Sequence, residues 1–226
     1  MPFRPGPARR PGASLSQARS QYRGRAARYD LELLAFEPVR NEAIAWLAPR
    51  TGDTVLDVGC GTGLSFEGLQ ERIGPTGRIV AFDPSPDMLD IARERVERHG
   101  WSNVELLEAG ASDAPLAGRA DAALFHFTHD VLRDPEALDH VLAHLRPGAT
   151  VLASGLKWAP PWMLPANLFV WGAALYSVTS LSGLDAPWDL LAARLRDVQL
   201  RERGLGGIFL MRGRTVGVHG GPARAH

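Results

Sequence analysis

Residues 54–63 read Thr54-Val55-Leu56-Asp57-Val58-Gly59-Cys60-Gly61-Thr62-Gly63. A short, β-branched apolar run such as Thr54–Val58 predicts a buried strand. The alternating glycines after it let the backbone turn with positive φ and let a ligand approach with no Cβ in the way. The next residues, Leu64–Arg72, read as a helix. Strand, glycine loop and helix in this order form a nucleotide-cofactor device. A dinucleotide fingerprint would read Gly-x-Gly-x-x-Gly/Ala, but the sixth position from Gly59 is Leu64. Asp57, just ahead of the loop, would repel a pyrophosphate and favour an ammonium. Both features argue against NAD, so an NAD(P)-dependent oxidoreductase stands as the enzyme alternative and a non-catalytic nucleotide-cofactor-binding module as the other.

Working outward, helices are expected at Ser14–Arg28, Glu37–Leu47, Pro86–His99 and Pro135–Leu145, the last stopping at Arg146-Pro147-Gly148. Strands are expected at Gly77–Asp83, Val104–Glu108, Ala120–Phe127 and Ala149–Leu156. The late segments Asp197–Arg203 and Gly207–Val216 have no helix between them and read as a terminal hairpin. The fold class is therefore α/β: a Rossmann-like, doubly wound, mainly parallel seven-stranded sheet with helices on both faces and an antiparallel C-terminal hairpin. The 226 residues suit one domain, and 45% hydrophobic against 22% charged residues supplies a core. We expect tails at 1–14 and 219–226, and a domain over 15–218 with a helical lid at 15–50 and an apolar lid at 158–188. Charge is balanced at 25 basic and 25 acidic residues, which disfavours a nucleic-acid partner. The single cysteine, Cys60, excludes a disulfide framework and suits a reducing, cytoplasmic compartment.

In such a sheet ligands bind beyond the carboxyl ends of the strands. Asp83 ends the second strand, where a carboxylate accepts hydrogen bonds from a ribose diol; capping the next helix is the competing role. Met88, one turn into that helix, has a polarizable side chain suited to an adenine face, or to the core. The stretches Val55–Gly63, Val80–Leu89, Ala120–Asp130 and His144–Leu152 together resemble class I S-adenosylmethionine-dependent methyltransferases, in particular the small-molecule and lipid-acting branch with quinone-biosynthesis and phospholipid N-methyltransferases. The resemblance implies S-adenosylmethionine as cofactor. By it, Asp57, Gly59, Gly61 and Gly63 hold the methionine moiety, Asp83 and Pro84 the ribose side, and Met88 the adenine. Members of that family often carry an acid after the third strand, where this chain has Gly110. Backbone at Gly110–Ala111, or the side chains of Ser112 and Asp113, are the replacements left open.

Methyl transfer from a sulfonium needs the nucleophile held in line, with a base optional. His126 and His129 follow the fourth strand and are the catalytic candidates, His126 also on the cofactor side; packing is the competing role. With Asp130 they do not make a convincing metal set, and neither do His140 and His144, so no metal is expected. Tyr22 and Tyr29 belong to a stretch, Tyr22–Asp30, that resembles the family's lid, Tyr29 toward the cofactor and Tyr22 toward the acceptor. Lys157 closes the fifth strand, where it meets an anionic acceptor group or solvent. From Trp158 to Leu184 no residue is charged, but its prolines and hydroxyls argue for a pocket lid over a membrane span. Trp158, Trp162, Phe169, Trp171, Tyr176 and Trp188 are its expected aromatic wall, which implies a small hydrophobic or lipid-like substrate. Peripheral membrane contact and a homodimer are the further partners the segment suggests.

Overall fold

The computed structural model describes residues 36–160, 162–163, 167–168 and 184–216. The expectations for Ser14–Arg28, Tyr22, Tyr29, Phe169, Trp171, Tyr176 and the two tails lie outside these residues. Seven strands form one sheet: β1 Thr54–Val58, β2 Arg78–Asp83, β3 Val104–Glu108, β4 Ala120–His126, β5 Leu145–Leu156, β6 Leu195–Arg203 and β7 Ile208–Thr215, in the order β3-β2-β1-β4-β5-β7-β6. The first five run parallel, and β7 pairs antiparallel with both β5 and β6. The expected fold class is thus borne out.

Period-two alternation assigns side chains to two cores. Val55, Leu124, Leu152 and Leu210 pack beneath helices α1 (Glu37–Leu47) and α2 (Phe66–Ile73), and Ala92 brings α3 (Pro86–His99) to the same face. Leu56, Phe125, Val151 and Phe209 point the other way, against α4 (His129–Leu132), α5 (Pro135–Ala143) and α6 (Asp189–Ala192). Each central strand is covered on both sides, which is why these strands are nearly continuous in apolar residues.

Several boundaries differ from expectation by one or two residues, and the start of β5 by four. Helix α5 ends at Ala143, and β5 starts at Leu145 instead of Ala149. Arg146-Pro147-Gly148 is the bulged start of β5, with Gly148 at φ +78°. Proline and glycine are tolerated in a strand at such an irregularity. The fourth strand stops at His126, because Phe127 takes φ +60° and turns the chain out of the sheet.

Candidate active site

All three loop glycines are left-handed, at φ +66°, +54° and +76° for Gly59, Gly61 and Gly63. A Cβ on Gly59 would lie 2.5 Å from Thr128 Cγ2, and one on Gly63 would lie 2.4 Å from the Phe66 ring. A Cβ on Gly61 would meet nothing within 4 Å. Gly59 and Gly63 are therefore fixed by packing, whereas Gly61 borders open space through which a ligand can reach the backbone.

Asp83 closes this loop. Its Oδ2 accepts from the Gly61 N–H at 3.0 Å and its Oδ1 from the Ser85 N–H at 2.9 Å. Capping of α3 falls to Ser85, whose Oγ accepts from the Met88 N–H at 3.5 Å, so the competing role for Asp83 does not apply. Each Asp83 oxygen retains a second acceptor position. Met88 is half-buried and belongs to neither core, and Pro84 is exposed. In the β3–β4 loop Ala111 packs into the second core, and the Gly110 carbonyl accepts from Ala114 N–H at 3.0 Å.

Asp57 is buried, and its Oδ2 has no hydrogen-bond partner among the described residues. Burial pushes its carboxyl up to about 7; the nearby Arg40 guanidinium opposes the shift and the Asp83 charge adds to it. A buried carboxylate oxygen without a partner needs an explanation, and an ammonium would supply one. Arg40 is a residue the sequence reading missed. It is buried on α1 within the stripe Phe36, Val39, Arg40, Ala43, Ile44, Leu47, a run at helical spacing in which it is the one charged member. That position was the available signal.

His126 stands at the end of β4, one residue past the paired Val58 and Phe125 and so beside Gly59. Its Nδ1 is 2.7 Å from Ser154 Oγ on β5, and its sealed Nε2 has no partner among the described residues. Burial, then the charge of Arg40, pushes its pKa down to about 3. An imidazole held so low is neutral at physiological pH and a weak base there, which weighs toward a positioning role over a general base. His129 lies apart from His126. The turn at Phe127 sends it beneath β5, where Nε2–H donates to the Leu156 carbonyl at 2.9 Å and the ring abuts Gly155. Burial lowers its pKa, and in this position the ring is packed in the interior.

On the acceptor side, Lys157 is buried and its Nζ donates to Glu202 Oε1 at 2.7 Å, so neither a solvated lysine nor a free anion receptor describes it. Lys157, Trp158, Asn167, Asp185 and Glu202 line a cavity of about 480 Å³ at the carboxyl end of β5. Asn167 fixes the start of the uncharged segment by accepting from the Ala159 N–H at 2.9 Å and donating to the Ala159 and Pro160 carbonyls. The aromatic wall is not assembled among the described residues. Trp162 is 77% exposed, while Trp188 packs on Phe209 in the second core, centroids 4.9 Å apart. His140 and His144 each bond a backbone carbonyl. No group of three metal-ligating side chains occurs among the described residues, nor any helix long and apolar enough to cross a membrane.

Together, the sheet order, the left-handed glycine loop and the two acids at adjacent strand ends define a Rossmann-like domain built to hold a nucleoside cofactor. Residues 55–148 match a family described as a methyltransferase domain. A ubiquinone/menaquinone biosynthesis C-methyltransferase of Pseudomonas savastanoi pv. phaseolicola is 35% identical over 144 residues, 60% of this chain and 56% of that protein. A 2-phytyl-1,4-naphtoquinone methyltransferase of a Nostoc species is 32% identical over 110 residues, 47% of this chain and 48% of that protein. The chain thus spans about half the length of these relatives. A solved SAM-dependent methyltransferase from Aquifex aeolicus superposes with TM-score 0.58 at 25% identity, covering 78% of this chain and 89% of that one. These likenesses support a class I S-adenosylmethionine-dependent methyltransferase domain.

Proposed function

We propose that this chain transfers a methyl group from S-adenosylmethionine to a small hydrophobic or lipid-like acceptor, as one cytoplasmic domain over residues 15–218. The observation that carries the reading is the buried Asp57 oxygen without a partner among the described residues, beneath a loop whose Gly61 faces open space. The same carboxylate beside the loop disfavours a dinucleotide pyrophosphate. When bound, the cofactor supplies a methyl already activated on a sulfonium. Asp57 would neutralise its ammonium, Asp83 would accept from its ribose hydroxyls with its remaining lone pairs, and Met88 would cover its base. The quinone substrates named for the relatives support an apolar acceptor, for which the uncharged segment 158–184 would provide the lid, with peripheral membrane contact or a second copy as its other partners.

His126 contributes orientation. With Ser154 on Nδ1 it keeps one fixed ring plane at the strand end. In-line positioning can lower such a barrier by about 7–11 kcal/mol without a base. Single-turnover rates are therefore expected to show no His126 ionisation between about pH 5.5 and 8. A limb in that range in the native enzyme that disappears in His126→Gln would return His126 to the role of base.

Asp57 supplies a second test. Its folded-state value of about 7 lies above the unfolded 3.8, so the folded chain holds the extra proton between about pH 4 and 7. Its contribution to stability falls as pH rises through that window and is level above it. An ammonium at Oδ2 favours the carboxylate, so binding S-adenosylhomocysteine at pH 6 should release a large part of one proton. Calorimetry in two buffers of different ionisation enthalpy measures this. Asp57→Asn should abolish the release; a release that survives it places the ammonium elsewhere. Screening apolar acceptors for methyl incorporation tests the activity, and parallel titration with S-adenosylhomocysteine and NAD tests the cofactor.

A further inference from the structure

We infer that the amino-terminal end of the sheet carries a second ligand site, for a phosphoryl group, on the far side of the molecule from the glycine loop. The site is a cavity of about 360 Å³ between the carboxyl end of α1 and the starts of β4 and β5, and its lining includes Arg50, Arg146, Arg212, Arg214, Asp53 and Asp121. The two acids are already engaged. Asp121 accepts from the Thr54 N–H through Oδ2 and pairs with Arg146 through Oδ1, and Asp53 Oδ2 accepts from the Arg50 N–H.

Of the four arginines Arg146 is matched in return, whereas Arg212 and Arg214 meet no carboxylate among the described residues. Arg212 is half-buried and has no hydrogen-bond or ion-pair partner among the described residues. Its β7 neighbour two positions on, Arg214, shares its face and makes one long bond, 3.5 Å, to the Gly148 carbonyl. Burial, then the like charges of Arg214 and Arg201, hold Arg212 below the ordinary guanidinium value. Arg201 cannot relieve this, being stacked 3.9 Å over the Trp46 ring and bonded to Glu42. A partly buried fork of five donors beside other cations is costly without an anion, and guanidinium donors match phosphoryl oxygens in pairs. The carboxyl end of α1 offers only partial negative charge, which offsets part of that cost. Two net positive charges and a cavity larger than orthophosphate suit a diphosphate or a phosphate ester, free in solution or as a lipid headgroup.

The probe is inorganic pyrophosphate, titrated calorimetrically into the full chain at constant ionic strength. One equivalent should bind, Arg212→Ala should weaken it by about tenfold or more, and the exposed, distant Arg93→Ala should leave it unchanged. Should Arg212→Ala fail to fold, Arg214→Ala combined with Arg50→Ala reads the same loss with Arg212 in place. S-adenosylhomocysteine affinity should be unaffected throughout, which separates this site from the cofactor crevice. Co-sedimentation with phosphatidylcholine vesicles containing phosphatidic acid distinguishes the two sources: Arg212-dependent pelleting identifies a headgroup, and pyrophosphate binding without pelleting identifies a free ligand. Absence of pyrophosphate binding at millimolar concentration, or binding insensitive to these arginines, overturns the inference.

Discussion

Asp83→Ala is expected to lower affinity for S-adenosylhomocysteine by about 10²–10³-fold. The carboxylate makes two hydrogen bonds to backbone, to Gly61 N–H and to Ser85 N–H. Hydrogen bonds to a charged group are worth about 1.5–3 kcal/mol each, and alanine removes both. The loop then keeps the Cys60 N–H bond to the Phe82 carbonyl of β2 but loses its tie at Gly61, and the ribose loses its acceptor as well. Both losses fall on binding, since the loop conformation must be restored before the ligand contacts can form. Asp83→Asn separates the two contributions. Its single carbonyl oxygen keeps one backbone bond, so stability should lie between wild type and alanine, while an amide cannot accept from both ribose hydroxyls. A cofactor analogue lacking those hydroxyls makes the test specific: it should lose less affinity than the parent compound on going to the asparagine variant, because only the loop contribution falls on it. If the analogue loses as much as the parent compound on going to Asp83→Asn, Asp83 supports the loop alone and the ribose lies elsewhere.

Most of this site is legible in the sequence because local chemistry fixes it. Asp57 and the three glycines are bound to one strand end by a few covalent links, and Asp83 falls at the end of the adjacent strand because β1 and β2 pair in parallel register. Bounds such as Pro86–His99 follow from local signals, a proline in the first turn, Ser85 as cap and Gly100 in the left-handed region after the helix. What escaped the sequence depends on tertiary placement. His126 and His129 look equivalent after β4, and the positive φ of Phe127, which has no sequence signature in an aromatic residue, sends one to the crevice and the other into the core. The apolar stripe marks Arg40 as buried, but what it faces is set only when α1 is laid along the sheet, with Phe36 edge-to-face on Phe127, centroids 4.8 Å apart, and Leu47 at the opposite end. Only then does its charge act on both Asp57 and His126. The low basicity of His126 is a property of that placement, not of its position in the chain.

Alanine at Gly61 and alanine at Gly63 should produce opposite phenotypes although the residues are two apart on one loop. At Gly63 the new Cβ would stand 2.4 Å from the ring of Phe66, a fully buried side chain packed edge-to-face with Trp101. The ring has nowhere to retreat in a close-packed core. Overpacking adds about 1–3 kcal/mol to the roughly 1–2 kcal/mol cost of a left-handed alanine, so Gly63→Ala should lose about 2–5 kcal/mol and melt about 10 °C lower. At Gly61 the left-handed strain remains, but the Cβ meets no protein atom within 4 Å. Gly61→Ala should therefore melt only a few degrees lower, at about 1–2 kcal/mol. Its methyl instead projects into the space from which a cofactor would approach the backbone, and S-adenosylhomocysteine affinity should fall by at least about tenfold, the equivalent of 1.4 kcal/mol. Thermal melts and ligand titrations on the two variants make the comparison. A Gly61→Ala protein that binds the cofactor as wild type does would mean that the open side of the loop faces solvent, and the crevice would have to be sought on the other side of β1.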